Sequence, residues 1–176
     1  MPVEIEAKLK VDSLQEVADK LRQLGADFLQ EQQQIDTYFD NADSEMATTD
    51  RCLRLRRQLT DKPESFFLTY KGPKEKDNFK KRQELETEVK DFDSTGKLLC
   101  ALGYAQSLVV EKKRRVWQLG GCKVCLDELP LLGSFVEIEG PDAEKIADVQ
   151  RSLDLANLTH IPQSYALLIQ EKLHQH

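Results

Sequence analysis

The sequence predicts an α+β fold: a closed or nearly closed eight-stranded antiparallel β-barrel with a charged lumen, flanked by amphipathic helices. Three observations lead there. Eight short segments alternate apolar and polar residues at the period of a strand. Their charged positions gather on one side and their apolar positions on the other. Helical stretches with a single apolar stripe follow the first, fifth and eighth segments and close the chain, so covers exist for the apolar side.

The first segment, VEIEAKLKV (3–11), puts Val3, Ile5, Ala7 and Leu9 on one face and Glu4, Glu6, Lys8 and Lys10 on the other. Ser13 with Glu16 forms a capping box, and Leu14, Val17, Leu21 and Leu24 recur at helical spacing until Gly25 ends the run. QIDTYFD (34–40), CLRLRRQL (52–59), SFFLTYKG (65–72) and RQELETEV (82–89) are short, alternating and rich in aromatic or branched residues, as strands are. GPKEKDNFKKR (72–82) reads as an exposed hairpin loop. A helix is expected over 94–103 around Leu98, Leu99 and Leu102. SLVVEKKRRVWQL (107–119) and GCKVCLDEL (121–129) form a tight hairpin about Gly120-Gly121, and GSFVEIEG (133–140) completes the strands. Pro141-Asp142 introduces a helix through Ile146, Val149 and Leu153, and Pro162 with Ser164 introduces the last, through Leu167, Leu168 and Leu173.

At 176 residues the chain suits a single domain over 1–176. A formal net charge of -6 argues against a general nucleic-acid binder. No apolar run approaches the roughly 20 residues of a membrane span, and no leader pattern opens the chain, so the expected location is cytoplasmic with no membrane partner. Of Cys52, Cys100, Cys122 and Cys125 only the last two are close, and a C-x-x-C on a strand sends its thiols to opposite faces. Buried, reduced thiols are the expectation.

The charged face collects Glu4, Glu6 and Lys8; Arg54 and Arg56; Lys71; Arg82, Glu84 and Glu86; Lys113 and Arg115; Asp127; and Glu137 and Glu139. An open sheet would leave this face wet, with cross-strand pairs worth roughly 0.2–1 kcal/mol each. Against that reading stands the concentration of Arg and Glu in short alternating groups. In a closed lumen such charges need partners, because desolvating a lone ion costs several kcal/mol. Acids cluster at both ends of the chain and bases in the middle. Carboxylates are hard oxygen ligands for Mg²⁺ or Mn²⁺, and Arg and Lys suit phosphate oxygens, so the ligand class is a polyphosphate with its metal.

These residues carry a resemblance. VEIEAK is similar to the ExExK signature of the CYTH superfamily, the triphosphate tunnel metalloenzymes, which includes class IV adenylyl cyclases, thiamine triphosphatases and inorganic triphosphatases. DTYFD, LRLR, TYKGP, RQELE, KRR, LDELPLLGSFVEIEG and SYALL follow in the family's order and cover almost the whole chain. The resemblance implies that Glu4, Glu6, Glu137 and Glu139 hold divalent metal. It implies that Lys8, Arg54, Arg56, Lys71, Arg82, Lys113 and Arg115 grip the triphosphate, with Glu84, Glu86 and Asp127 as supporting acids. Lys8, Glu6 and Arg56 are then the expected catalytic centre. Tyr38 and Tyr165 are read as packing and hydrogen-bonding residues, and His160, His174 and His176 lie outside every motif.

Phosphoryl or nucleotidyl transfer on such a site is mostly positioning and electrostatics. The motif wording is most similar to the class IV cyclase branch, which converts ATP to cyclic AMP and pyrophosphate. Two alternatives stay open. One is a triphosphatase acting on tripolyphosphate, thiamine triphosphate or a nucleoside triphosphate, and the other a non-catalytic polyphosphate or nucleotide sensor. A homodimer is implied by the resemblance alone. An RNA-binding barrel built on KKRR (112–115) is disfavoured, because consecutive residues face opposite ways and no aromatic platform accompanies them.

Overall fold

The computed structural model describes residues 3–75 and 79–174. Strands β1 (Val3–Lys10), β2 (Asp27–Asp40), β3 (Cys52–Leu59), β4 (Ser65–Lys71), β5 (Lys80–Val89), β6 (Ala105–Leu119), β7 (Cys122–Leu129) and β8 (Gly133–Glu139) close a barrel in the order β1-β5-β4-β3-β2-β6-β7-β8. Every pairing is antiparallel, and the first strand meets the last. The fold is thus the α+β barrel that the alternation predicts.

Helices α1 (Leu14–Gln23), α3 (Phe92–Ala101), α4 (Ala143–Ser152) and α5 (Tyr165–Leu173) each start at a capped residue. Ser13, Asp91, Asp142 and Ser164 accept from the backbone N–H of Glu16, Ser94, Lys145 and Leu167. Helices α1 and α4 cover the outer face of β1, β7 and β8: Val17, Leu21, Ile146 and Val149 pack with Leu9, Val124, Val136 and Ile138. Full burial of one such side chain contributes about 1.5–3 kcal/mol. Helix α3 covers Phe39 and Leu55 with Leu99.

Helix α5 does something else. Its Tyr165 and Ile169 pack with Val110, Leu129 and Phe135, which share the lumen side of their strands with the charged residues. It closes part of the barrel interior near the β7–β8 turn.

Four expectations shift. Strand β2 begins at Asp27, because its polar first half, without clean alternation, is held by pairing with β6 along its length. A short helix α2 (Glu45–Thr48) follows it. Helix α3 starts at Phe92 because Asp91 caps it, and the chain turns off at Gly103 with φ 92°. The basic loop yields to strand at Lys80, which pairs with Glu6; its tip, Lys76 to Asn78, lies outside the described residues, as does His176.

Gly140 joins β8 to α4 where the two nearly touch: an added Cβ would lie 2.7 Å from Cys122 Sγ and 2.9 Å from Ile146 Cγ1. Gly140→Ala is expected to cost about 1–3 kcal/mol through overpacking, read as a lower urea midpoint with an unchanged slope.

Candidate active site in the barrel lumen

Alternation sends the even residues of β1, β2, β3, β5 and β6 and the odd residues of β4, β7 and β8 inward, around a cavity of about 420 Å³. Eight bases among the described residues line it: Lys8, Arg54, Arg56, Lys71, Arg82, Lys112, Arg114 and Lys123. Six acids join them: Glu4, Glu6, Glu84, Glu86, Glu137 and Glu139. Every metal-ligand candidate, and every triphosphate-ligand candidate except Lys113 and Arg115, therefore converges here. Asp127 is inward as well, at the cavity's base.

The placement of Lys113 and Arg115 in the lumen is corrected. Lys113 is exposed on the outer wall, and Arg115 reaches out toward the Leu14 carbonyl at the start of α1. The inward pair is Lys112 and Arg114. The reason is register: the β6–β7 hairpin puts Leu119 opposite Cys122 and hence Arg114 opposite Asp127 and Lys113 opposite Glu128. Four consecutive basic residues give no phase of their own, so only the turn decides which two point in.

Two aspartates organise the cations from beneath, and both are 0% exposed. Arg56 donates to Asp36 in bidentate fashion, Nε to Oδ1 at 2.6 Å and Nη2 to Oδ2 at 2.8 Å. Arg54 Nη1 and Lys112 Nζ lie 3.8 and 3.7 Å from Asp36 Oδ2. Burial alone would raise the Asp36 carboxyl, but Arg56 and Arg54, joined by Lys112 when it is protonated, overcome it and hold it far below the usual carboxylate range. Asp127 accepts from Arg114 Nε at 2.6 Å and from the Tyr165 hydroxyl at 2.8 Å. Burial and then Asp127 keep that phenol protonated, well above its ordinary value.

The other cations are tied to the wall. Lys71 donates to Glu4 at 2.6 Å and pairs with Glu84 at 2.8 Å, and Arg54 reaches Thr69 at 3.1 Å and Glu86 at 3.4 Å. Lys8 is 2% exposed, donates to the Gln163 carbonyl at 2.8 Å, and sits 4.0 Å above the Tyr165 ring and 3.4 Å from Glu137. Arg114 also bonds Glu137, and Lys123 pairs with Glu139. Arg54 Nε and Arg82 Nε are buried donors with no partner among the described residues. Either Nε can donate to an oxygen acceptor in the cavity, whether water or an anion.

Glu6 and Glu139 are register partners across β1 and β8, like charges facing each other on the lumen side. The donors are all oxygens, which suits a hard divalent cation. Among the described residues no three candidate ligands already converge as a cage. The facing Glu6 and Glu139 carboxylates suit the Mg²⁺ habit of using one or two carboxylates with substrate phosphates and water. The site residues thus fit such an ion.

Residues 2–165 match the CYTH domain. The chain belongs to the CYTH domain family. This is a family of adenylyl cyclases and triphosphatases that act on triphosphate substrates such as ATP and generally use divalent metal. Among similar proteins, a candidate adenylate cyclase of Methanocaldococcus jannaschii is 28% identical over 93% of this chain and 96% of its own. Adenylate cyclase CyaB of Aeromonas hydrophila is 26% identical over 97% of this chain and 90% of its own. A Pyrococcus horikoshii protein of known structure is 30% identical, with a TM-score of 0.83 over 96% of this chain and 99% of that one. Among the described residues of this CYTH chain, no helix is long and apolar enough to cross a membrane.

Sequence reasoning missed Asp36, Lys112, Arg114 and Lys123. Asp36 carried a signal: it is the inward acid of DTYFD, at the phase of Tyr38 and opposite Arg56. Asp36→Asn removes the charge under three cations and is expected to cost about 3–5 kcal/mol. Its sign with pH follows from the lowered carboxyl: the contribution is complete above the ordinary aspartate value of 3.8 and declines as pH falls below it. Urea titrations at pH 7 and pH 3 should show a smaller acid loss in the variant than in the parent.

Proposed function

We propose that this chain is a divalent-metal-dependent enzyme of the class IV adenylyl cyclase type, taking the triphosphate of ATP into the lumen and releasing cyclic AMP and pyrophosphate. The convergence of eight bases on one cavity, with like-charged carboxylates facing each other on the β1–β8 wall, carries this reading. A triphosphate is a linear polyanion that needs many donors at once, and guanidiniums fixed by Asp36 and Asp127 meet it without reorganising.

The chain's own groups divide the work. Arg54, Arg56 and Arg114 present donors not used on the aspartates, Lys8 and Lys71 supply point charge, and Arg82 offers its Nε. Mg²⁺ or Mn²⁺ would be held by Glu6 and Glu139, with Glu4 and Glu137 on the same two strands. When bound, it neutralises phosphate charge and polarises the phosphoryl oxygens. Glu4, Glu137 and Glu139 each hold a lysine or arginine in the free protein. These acids would therefore be released from their bases to hold the cation, and Lys71, Arg114 and Lys123 would be freed for phosphate oxygens. Glu84, Glu86 and Asp127 remain as orienting acids. In the cyclase reaction the ribose 3'-hydroxyl attacks the α-phosphorus and pyrophosphate leaves.

Hydrolysis is the second reading, with water attacking a phosphorus in the same cavity. A candidate adenylyl cyclase from Hippeastrum shows a dominant triphosphatase activity and shares the fold with a TM-score of 0.73 at 16% identity, so this fold is compatible with either outcome.

Incubation with ATP, thiamine triphosphate and tripolyphosphate in Mg²⁺ or Mn²⁺, with products resolved by chromatography, decides between them. Cyclic AMP with pyrophosphate is expected, abolished by EDTA and by Glu6→Gln. Phosphate without cyclic AMP would replace the cyclase reading with a hydrolase, and no turnover of any substrate would leave a sensor. Arg114→Ala should lower turnover about 100-fold, the scale of one lost transition-state donor. Lys113→Ala, on the outer wall, should leave turnover unchanged.

A further inference from the structure

Lys112 stands apart from the other lysines of the cavity. Lys71 has two carboxylates within 2.8 Å, and Lys8 has a carbonyl at 2.8 Å and a carboxylate at 3.4 Å. Among the described residues, the carboxylate oxygen paired with Lys112 Nζ is Asp36 Oδ2 at 3.7 Å, beyond hydrogen-bond length. That carboxylate is already committed to both arms of the Arg56 guanidinium. Asp127, from β7, is likewise committed to Arg114 and to the Tyr165 hydroxyl. The Tyr165 ring of α5 lies 5.0 Å from Lys112 Nζ, but its face also takes Lys8 of β1 at 4.0 Å. Opposite Lys112 on β2 stands Gln34, which is neutral.

The side chain is 5% exposed yet lines the cavity. It is therefore a buried amine among three cations, Arg56, Arg114 and Lys8, whose two nearby acids are spoken for. Desolvation, with the nearest carboxylate at 3.7 Å and shared with two guanidiniums, favours the uncharged form.

We propose that Lys112 is a neutral amine in the free protein and takes up a proton from solvent when a polyphosphate anion enters the lumen. Binding then completes the cationic wall. The nitrogen lone pair accepts the proton, the new ammonium acquires phosphate oxygen as a counter-ion at hydrogen-bond length, and no other bond changes. This rests on the triphosphate reading of the cavity. The balance of charges supports it: burial and the like charges of Arg114 and Arg56, opposed by Asp36 and Asp127, bring Lys112 down from 10.5 to about 7. Above pH 7 the free amine is mostly neutral, and an anion that raises its proton affinity draws one proton in.

The test is calorimetry with inorganic tripolyphosphate at pH 8 in EDTA, where turnover does not compete, repeated in buffers of different ionisation enthalpy. The buffer dependence counts protons taken up, and the difference between the parent and Lys112→Arg cancels the ligand's own ionisation. Uptake greater by close to one proton in the parent is the expected result. Equal uptake in parent and variant overturns the proposal while leaving the triphosphate reading intact. No binding in the parent overturns both. A second measurement needs no variant: in protein with ¹³C-labelled lysines, one lysine should titrate near pH 7 when free and move up by more than two units with ligand. A set in which every lysine titrates near 10 without ligand overturns it.

Discussion

The cost of holding ionised side chains away from water governs this barrel. Asp36 and Asp127 bear it most directly, since both are fully buried and each is satisfied by guanidinium and neighbouring donors. Without Asp36, Arg56, Arg54 and Lys112 lose a shared partner, and without Asp127, Arg114 and the Tyr165 hydroxyl lose theirs. Such a network gives little stability relative to an apolar core of equal size, but breaking one half of it is expensive. Here the return is geometric. Guanidiniums that cannot swing away are presented to the cavity before any ligand arrives.

The free lumen is close to self-neutralising, and that balance is also what makes it receptive. Glu4, Glu84, Glu137 and Glu139 occupy Lys71, Arg114 and Lys123 in the absence of an anion. Arg54 Nε and Arg82 Nε keep donors without partners among the described residues. A polyanion alone would displace acids into a crowded wall, and a divalent cation alone would leave bases unmatched. On the proposed function the two together would exchange ion pairs, the phosphate meeting bases and the cation meeting acids.

Much of this is legible in the sequence. The alternation in VEIEAK, LRLR and FVEIE fixes which residues face inward, because each has an apolar residue on every other position, and Leu85 phases RQELE in the same way. KKRR has none. On β6 the apolar residues flanking it serve both sides, with Val110 inward under α5 and Trp117 outward against α1, so hydrophobicity does not phase the strand. The Gly120-Gly121 turn does: a two-residue loop sets Leu119 against Cys122, and counting back puts Arg114 against Asp127. The length of that turn is therefore a stronger signal than the charges it phases. What no local pattern reveals is that Asp36 serves Arg56, Arg54 and Lys112 together, since the three come from two strands that flank β2.

Strand order carries a consequence for how the protein comes into being. The bases of β3, β4 and β5 are neighbours along the chain, and those strands can pair by hairpins as soon as they leave the ribosome. The Glu6–Glu139 pair belongs to β1 and β8, the two ends of the barrel's chain. Contacts of such separation carry a large loop-closure cost and form slowly. During synthesis, then, the part of the lumen built by β2 to β5 can exist as an unclosed sheet before the acids of β8 emerge. Glu137 and Glu139, the last of the lumen carboxylates to be made, take their places as the barrel shuts.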